Sequence, residues 1–303
     1  MKTLVVLTGP TGVGKTELSL RLAEALGSPI LSCDSRQIFR EMSIGTAAPT
    51  LEQLKRVKHY FIASKSMHEP YSAAKFEMEA LSLLDDLFAT HESVLLAGGS
   101  MMYIDAVCKG IDDMPDADPL IRQQLSDLYN EKGLEPILEE LQRLDPVYYE
   151  QVDRKNHKRV IHGLEICRMT GLPFSSFRKD TAKERPFRIL KICLNRDRKD
   201  LYDRIDKRVE EMMTLGLEAE AYGLYPYRSL NALNTVGYKE MFTWFDGNCN
   251  LEEAVTKLKH NTHHYARKQL TWFRKDPDYH WFHPDDMEGI RAFLTENGFN
   301  MKG

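Results

Sequence analysis

Gly9-Pro10-Thr11-Gly12-Val13-Gly14-Lys15-Thr16 fits the pattern G-x-x-x-x-G-K-[ST]. It follows a short apolar strand over residues 2–8 and opens a helix that runs to about Leu26, where Gly27 and Pro29 end it. In that setting the chemistry is phosphate binding. Backbone N–H groups in a glycine-rich loop converge on phosphate oxygens. The helix start adds the positive end of its dipole. Lys15 supplies a point charge, and the Thr16 hydroxyl is placed to reach Mg2+. The loop does not choose the molecule that owns the phosphates.

Two more charged residues bear on that site. Asp34 closes the strand "PILSCDS" (29–35). Ligands of open α/β sheets bind beyond the carboxyl ends of strands, so Asp34 should face the same crevice as the phosphate loop. There it can take a proton from an attacking group or position Mg2+, or it can simply cap the turn that follows. In "DLYDRIDKRVEEMMTLG" (200–216), Leu201, Ile205 and Met212 share one face of a helix, and Arg208 falls on that same face with Arg204 beside it. A guanidinium on an apolar face needs an anion, because burying a bare charge costs several kcal/mol. That anion is a structural carboxylate or a ligand phosphate, unless the head snorkels to solvent.

The elements that must hold these groups read as an α/β fold with a P-loop NTPase-like parallel-sheet core. "KHYFI" (58–62) gives a short third strand, residues 73–90 a helix, and "SVLLAGGS" (93–100) an almost wholly apolar strand of the kind a doubly covered sheet requires. Ser100 is placed to cap the helix after it. That strand ends in Gly98-Gly99, not in the Asp that helps hold Mg2+ in many P-loop NTPases. After the acidic break "DDMPDADP" (112–119) the pattern turns helical to about Thr170. Asp118-Pro119 and Asp145-Pro146 both read as an N-cap followed by a first-turn proline. "RILKICL" (188–194) resumes the sheet, and long helices follow over 198–215 and 251–274. The expected organisation is a catalytic core over 1–114 and 186–303, with an all-helical insertion over 115–185.

Composition limits the function classes. The chain has 303 residues, 42% hydrophobic and 28% charged, which suits a folded protein with a sizeable core. No apolar run approaches the roughly 18 residues of a membrane span. Five scattered cysteines form no CxxC, which argues against disulfides and a zinc site and for a reducing cytoplasm. The net charge of −4 hides two acid-free basic clusters: "RKNHKR" (154–159) and "KLKHNTHHYARKQLTWFRK" (257–275). The second is interleaved with Tyr265, Trp272 and Phe273. Each alone suits a solvated helix face; together they favour a polyanionic partner.

These pieces occur in a recognisable order. GPTGVGKT (9–16), DSRQ (34–37), "IGTAAP" (44–49), "YSAAKF" (71–76), "AGGSMMY" (97–103), "RIDKRVEEMM" (204–213), "VGYKE" (236–240) and "RKQLTWFR" (267–274) together resemble the bacterial tRNA dimethylallyltransferases, also called tRNA isopentenyltransferases. The resemblance runs from about residue 3 to 282. It implies transfer of a dimethylallyl group from dimethylallyl diphosphate to the exocyclic amine of adenosine 37, beside the tRNA anticodon, with release of diphosphate. It implies Mg2+, a diphosphate gripped by Gly9 to Thr16, and Asp34 as the base, with Thr16 and Arg208 at the departing diphosphate. It also implies tRNA contacts at Asp34, Ser35, Arg36, Gln37, Ser100 and Arg122, at Lys158, Arg159, Val160, Ile161 and His162, and at Asn234, Gly237, Tyr238 and Lys239. The partners it implies are the tRNA anticodon stem-loop and dimethylallyl diphosphate, with a monomeric cytoplasmic protein and no membrane. Ser100 stands where the family commonly has Thr, and His162, Asn234 and Lys239 where Arg is frequent. Three other readings fit parts of the chain: a P-loop kinase of a small metabolite or nucleotide, an isopentenyltransferase of free adenine nucleotides, and a nucleic-acid-binding protein with a nucleotide-sensing loop.

Overall fold

The computed structural model describes residues 1–115, 118–179 and 181–299. The first half of the core runs β1 (Thr3–Thr8), α1 (Lys15–Leu26), β2 (Ile30–Ser32), α2 (Leu51–Arg56), β3 (His59–Tyr60), α3 (Ala73–Phe88), β4 (Ser93–Ala97) and α4 (Met101–Lys109). Helices α5 (Pro119–Lys132), α6 (Glu135–Leu144), α7 (Pro146–Gln151) and α8 (His157–Thr170) form a separate compact unit. The core then resumes with β5 (Arg188–Leu194), α9 (Arg198–Thr214), α10 (Leu217–Leu224), α11 (Tyr238–Phe245), α12 (Leu251–Phe273), β6 (Tyr279–Phe282) and α13 (Met287–Glu296).

The six strands pair in parallel in the order β3-β2-β4-β1-β5-β6. Successive side chains of a strand point to opposite faces, so a strand covered on both sides must be apolar at every position. Strand β1 obeys: Leu4 and Val6 join a cluster with Phe76, Ile104 and Phe273, while Val5 and Leu7 join one with Leu18, Leu22 and Ile290. This continuous burial is what made β1 and β4 conspicuous in the sequence. Strands β2 and β3 are shorter than expected, because the chain leaves the sheet at Cys33 and Phe61. Strand β6 was not anticipated: in its four residues only Tyr279 is buried, so it carries no apolar run.

The buried stripe of α9 is Leu201, Ile205 and Val209, one turn apart at each step, rather than ending on Met212. Met212 is half-buried and borders a cavity instead, as does Arg208. Gly98 explains why β4 ends without an acid. A Cβ there would lie 2.6 Å from the carbonyl oxygen of Cys33, so the end of β4 is packed against the chain leaving β2.

The compact units divide as 1–109 with the chain from Glu184, and Gly110–Lys183. The helical unit thus begins five residues before the expected boundary, at the end of α4. Within it, Lys183 binds Asp113 at 2.8 Å. Its core gathers Leu125, Ile137, Leu141, Val160 and Leu164 around Tyr148. Asp118 accepts from Leu120 N, and Asp145 from Tyr148 N, as N-caps preceding first-turn prolines. Asp145 does more than cap. It is wholly buried, and it also accepts from Ser175 N at 2.6 Å and Ser175 Oγ at 2.8 Å, tying α7 to the segment after α8. Asp145→Ala strands these donors and should destabilise the helical unit by about 3 kcal/mol. Hydrogen exchange should show this as lost amide protection through α7 and Phe174–Phe177. Unchanged protection would contradict that tie.

Candidate active site

The carboxyl ends of the parallel strands deliver the site. Strand β1 leads into Gly9–Gly14, β2 into Cys33-Asp34, β4 into Gly98-Gly99-Ser100, and β5 into Asn195-Arg196. Two cavities open on this edge, of about 710 and 550 Å³. The larger is bordered by Thr11, Gly12, Gly14, Lys15 and Thr16 of the phosphate loop and by Arg204 and Arg208 of α9. The smaller is bordered by Ser35, Arg36, Ser100, Asn234, Lys239 and Lys268 among others. Thr11, Asp34, Thr46, Arg208 and Tyr265 border both.

The phosphate loop is held ready for an anion. Lys15 Nζ folds back over it and donates to the carbonyls of Gly9 and Pro10, each at 2.8 Å. Two loop carbonyls are taken up by arginines, Arg196 Nε donating to Val13 O at 2.8 Å and Arg204 Nε to Gly12 O at 3.1 Å. Gln269, buried on α12, accepts from Thr11 N at 2.8 Å and donates to Gly99 O at 2.8 Å. One side chain therefore fixes the ends of two strands. Sequence reading missed this role for Arg196 and Gln269, because both act on backbone groups distant in the chain.

Arg208 has no hydrogen bond or ion pair among the described residues, although it is only half-exposed. Burial lowers its pKa, with Asp34 and Glu211 opposing that effect and Arg204 adding to it. Lys15 is shifted in the same direction. Burial, reinforced by the charge of Arg208, pushes its pKa down to about 8. No carboxylate among the described residues pairs with Arg208, which leaves solvent or a ligand anion as its partner.

Asp34 closes the turn after β2 and also borders both cavities. Oδ1 accepts from Arg36 N at 2.9 Å and Gln37 N at 3.2 Å, closing the turn after β2. Oδ2 has no hydrogen-bond partner among the described residues. One oxygen orients the group and the other is free to act. Around it, Ser100 Oγ accepts from Ser35 N at 2.8 Å and donates to Ser35 Oγ at 3.1 Å, so its hydroxyl serves this loop instead of capping α4. Tyr265 also bonds Ser100, and burial, with the charge of Asp34 adding, raises its phenol to about 12. Gln37 Nε2 donates to Thr46 O and Ala47 O at 3.1 Å each, leaving its carbonyl oxygen for a ligand.

The other expected contact positions divide by exposure. Asn234 and Lys239 are exposed and border the smaller cavity, while Gly237 starts α11 and donates its N–H to Glu240. Tyr238 is fully buried with its hydroxyl on Glu220, so its side chain cannot meet a ligand at the surface. In the helical unit Lys158 and Arg159 are exposed and Ile161 is half-buried. Val160 is fully buried in that unit's core, which corrects its expected contact role for the same reason. Arg122 and His162 converge on Oε2 of the buried Glu165, at 2.5 and 3.3 Å, which holds both heads at the surface of the helical unit.

For a divalent cation the fit is spare. Among the described residues no cluster of three His, Cys, Asp or Glu could hold a metal. Among the oxygen donors that border the larger cavity are the exposed Thr16 hydroxyl and Asp34 Oδ2. That set suits Mg2+, which takes one or two protein ligands and completes its shell with water and substrate phosphate oxygens.

Diphosphate should charge Lys15 as it binds. The free lysine titrates near pH 8. A bound polyanion raises that value, so above pH 8 binding takes up a proton and weakens as pH rises. Calorimetry at pH 8.5 in buffers of different ionisation heat should show up to about one proton more taken up by the wild type than by Lys15→Met. Equal uptake would place another group at this titration.

Comparison with known proteins agrees with this geometry. Residues 37–276 match the family model for IPP transferase. The tRNA dimethylallyltransferase 2 of Parabacteroides distasonis is 58% identical over 296 residues, covering 98% of this chain and 99% of that protein. The tRNA dimethylallyltransferase 2 of Porphyromonas gingivalis is 61% identical over 293 residues, covering 97% and 98%. The crystal structure of the tRNA isopentenylpyrophosphate transferase of Bacillus halodurans superposes with a TM-score of 0.72 at 35% identity, covering 98% of this chain and 96% of that one. A eukaryotic dimethylallyltransferase acting on tRNA shares the fold, with a TM-score of 0.82 at 24% identity, covering 100% of this chain and 81% of that one. With a family model matched over residues 37–276 and relatives matched along nearly their whole length, the chain belongs to the IPP transferase family.

Proposed function

We propose that this protein transfers a dimethylallyl group from dimethylallyl diphosphate to the exocyclic amine of adenosine 37 of tRNA, releasing diphosphate. The observation that carries this reading is the pair of cavities sharing Asp34 and Arg208. One cavity has the phosphate loop and cations for a diphosphate; the other is a separate room for the acceptor. The carboxylate and the guanidinium stand where the two meet.

The chemistry follows from those positions. The amine of adenine is a weak nucleophile, because its lone pair is delocalised into the ring. As N6 bonds to C1 of the donor, the bond from C1 to the bridging oxygen breaks and its electrons pass to the diphosphate. Asp34 takes the proton lost from N6. Lys15 and Arg208 meet the charge that builds on the leaving oxygens, where low dielectric makes them most effective. Mg2+, held by Thr16 and the diphosphate itself, would add further charge neutralisation. The adenine must leave its stack to enter a cavity of about 550 Å³. Basic surface is needed to hold the rest of the tRNA. The exposed Lys158 and Arg159 of the helical unit, and Arg267, Lys268 and Lys275 of the core, supply it.

The test uses labelled dimethylallyl diphosphate, unmodified tRNA and Mg2+, with labelled ATP and candidate acceptors in parallel. Label should enter tRNA. ATP consumption without prenyl transfer would establish the kinase reading instead. Asp34→Ala should lower kcat by about 10³-fold with little change in donor affinity, whereas Arg208→Ala should weaken diphosphate binding and kcat/KM for the donor by about 10²-fold or more. Near-normal turnover of Asp34→Ala would remove the proposed base.

A further inference from the structure

Glu220 borders neither cavity, yet it is hydrogen-bonded to two segments that do. It lies on α10, and its carboxylate accepts five donors. Oε2 accepts from Ser43 N at 3.0 Å, Ser43 Oγ at 3.0 Å and Ile44 N at 2.8 Å. Oε1 accepts from Gly45 N at 2.8 Å and from the Tyr238 hydroxyl at 2.7 Å. A carboxylate has about four lone-pair positions, so this one is saturated. Three successive backbone N–H groups aimed at one anion form a nest, here occupied by the protein's own side chain.

The two segments so joined are walls of the acceptor cavity. Gly45 and Thr46 border it on one side, Val236 and Lys239 on the other. Gly45 lies flat on Tyr238: a Cβ at 45 would come within 2.6 Å of the phenol ring. The grip continues one residue on, where Gln37 holds the Thr46 and Ala47 carbonyls. Thr46 in turn borders the diphosphate cavity as well. The loop over 43–47 is therefore tied at one end to the turn that carries Asp34 and at the other to α10 and the start of α11. Only the second tie depends on a single ionised group.

We infer that Glu220 is a positioning residue for the acceptor: by clamping Ser43–Gly45 onto Tyr238 it sets the width of the cavity that receives the flipped adenine. The inference rests on the function proposed above. The phosphate loop is braced independently, by Arg196, Arg204 and Gln269, so loosening this clamp should leave the diphosphate end intact.

Glu220→Gln keeps the shape but turns an amide N–H2 toward N–H donors. It should raise KM for tRNA about tenfold or more, with KM for the donor and the diphosphate dissociation constant changed less than about twofold. Tyr238→Phe removes one donor of the five and should raise KM for tRNA about threefold, in the same pattern. A purely structural role would lower the folded fraction and shift both substrates alike. A folded Glu220→Gln with unchanged KM for tRNA, or with donor and acceptor constants moving together, overturns the inference. If Glu220→Gln does not fold, Tyr238→Phe decides, by a selective rise in KM for tRNA or its absence. Should the wild type transfer no prenyl group at all, the function proposed above fails. The tRNA and diphosphate binding constants of the same variants, measured without turnover, then still decide the clamp.

Discussion

A half-buried guanidinium without an anion is the constraint that orders this site. Arg208 faces the phosphate loop from α9, and no carboxylate among the described residues bonds it. Lys15 is close enough that Arg208 lowers its pKa, so two cations share a space that burial already makes unfavourable for either. A folded chain tolerates such an arrangement only if the rest of the structure over-determines it. Here α9 is fixed by Leu201, Ile205 and Val209 beneath the sheet edge, and the phosphate loop is fixed by Arg196, Arg204 and Gln269. Two neighbouring cations of this kind favour the binding of an anion.

The same economy shapes the acceptor side. Asp34 spends one oxygen on the turn that carries it and keeps the other. Ser100 lends its hydroxyl to Ser35 rather than to a helix. Gln37 and Glu220 fasten the loop over 43–47 from opposite ends. The groups that border the cavities thus orient one another, Glu220 alone acting from outside both, and the parallel sheet brings the strand-end groups together by ending all its strands at one edge.

Much of this was legible in the chain. A loop motif between an apolar strand and a helix states its own context, and Arg208 on the apolar face of α9 announced that a charge wanted a partner. Asp118 and Asp145 before prolines marked two helix starts in the helical unit, because cap chemistry is local. What sequence could not show is contact across distance. Gln269 meets Thr11 and Gly99, and Glu220 meets residues 43–45, through backbone groups that leave no side-chain signature. Val160 and Tyr238 show the converse: motif position alone does not say whether a side chain faces a ligand or the core. Strand β6 escaped notice because one buried residue followed by three that are exposed or half-exposed carries no periodic pattern.

The most direct test of the central claim is thermal unfolding of wild type and Arg208→Met, each with and without diphosphate and Mg2+. Met keeps the bulk of the side chain and removes the charge. If Arg208 waits unpaired for its ligand, the variant without ligand should melt at or above the wild-type temperature, and diphosphate should no longer stabilise it by the amount seen in the wild type. A ligand-free variant that melts well below the wild type, with the diphosphate-induced shift retained, would mean that Arg208 already has its partner within the fold, and the account of the site would be wrong.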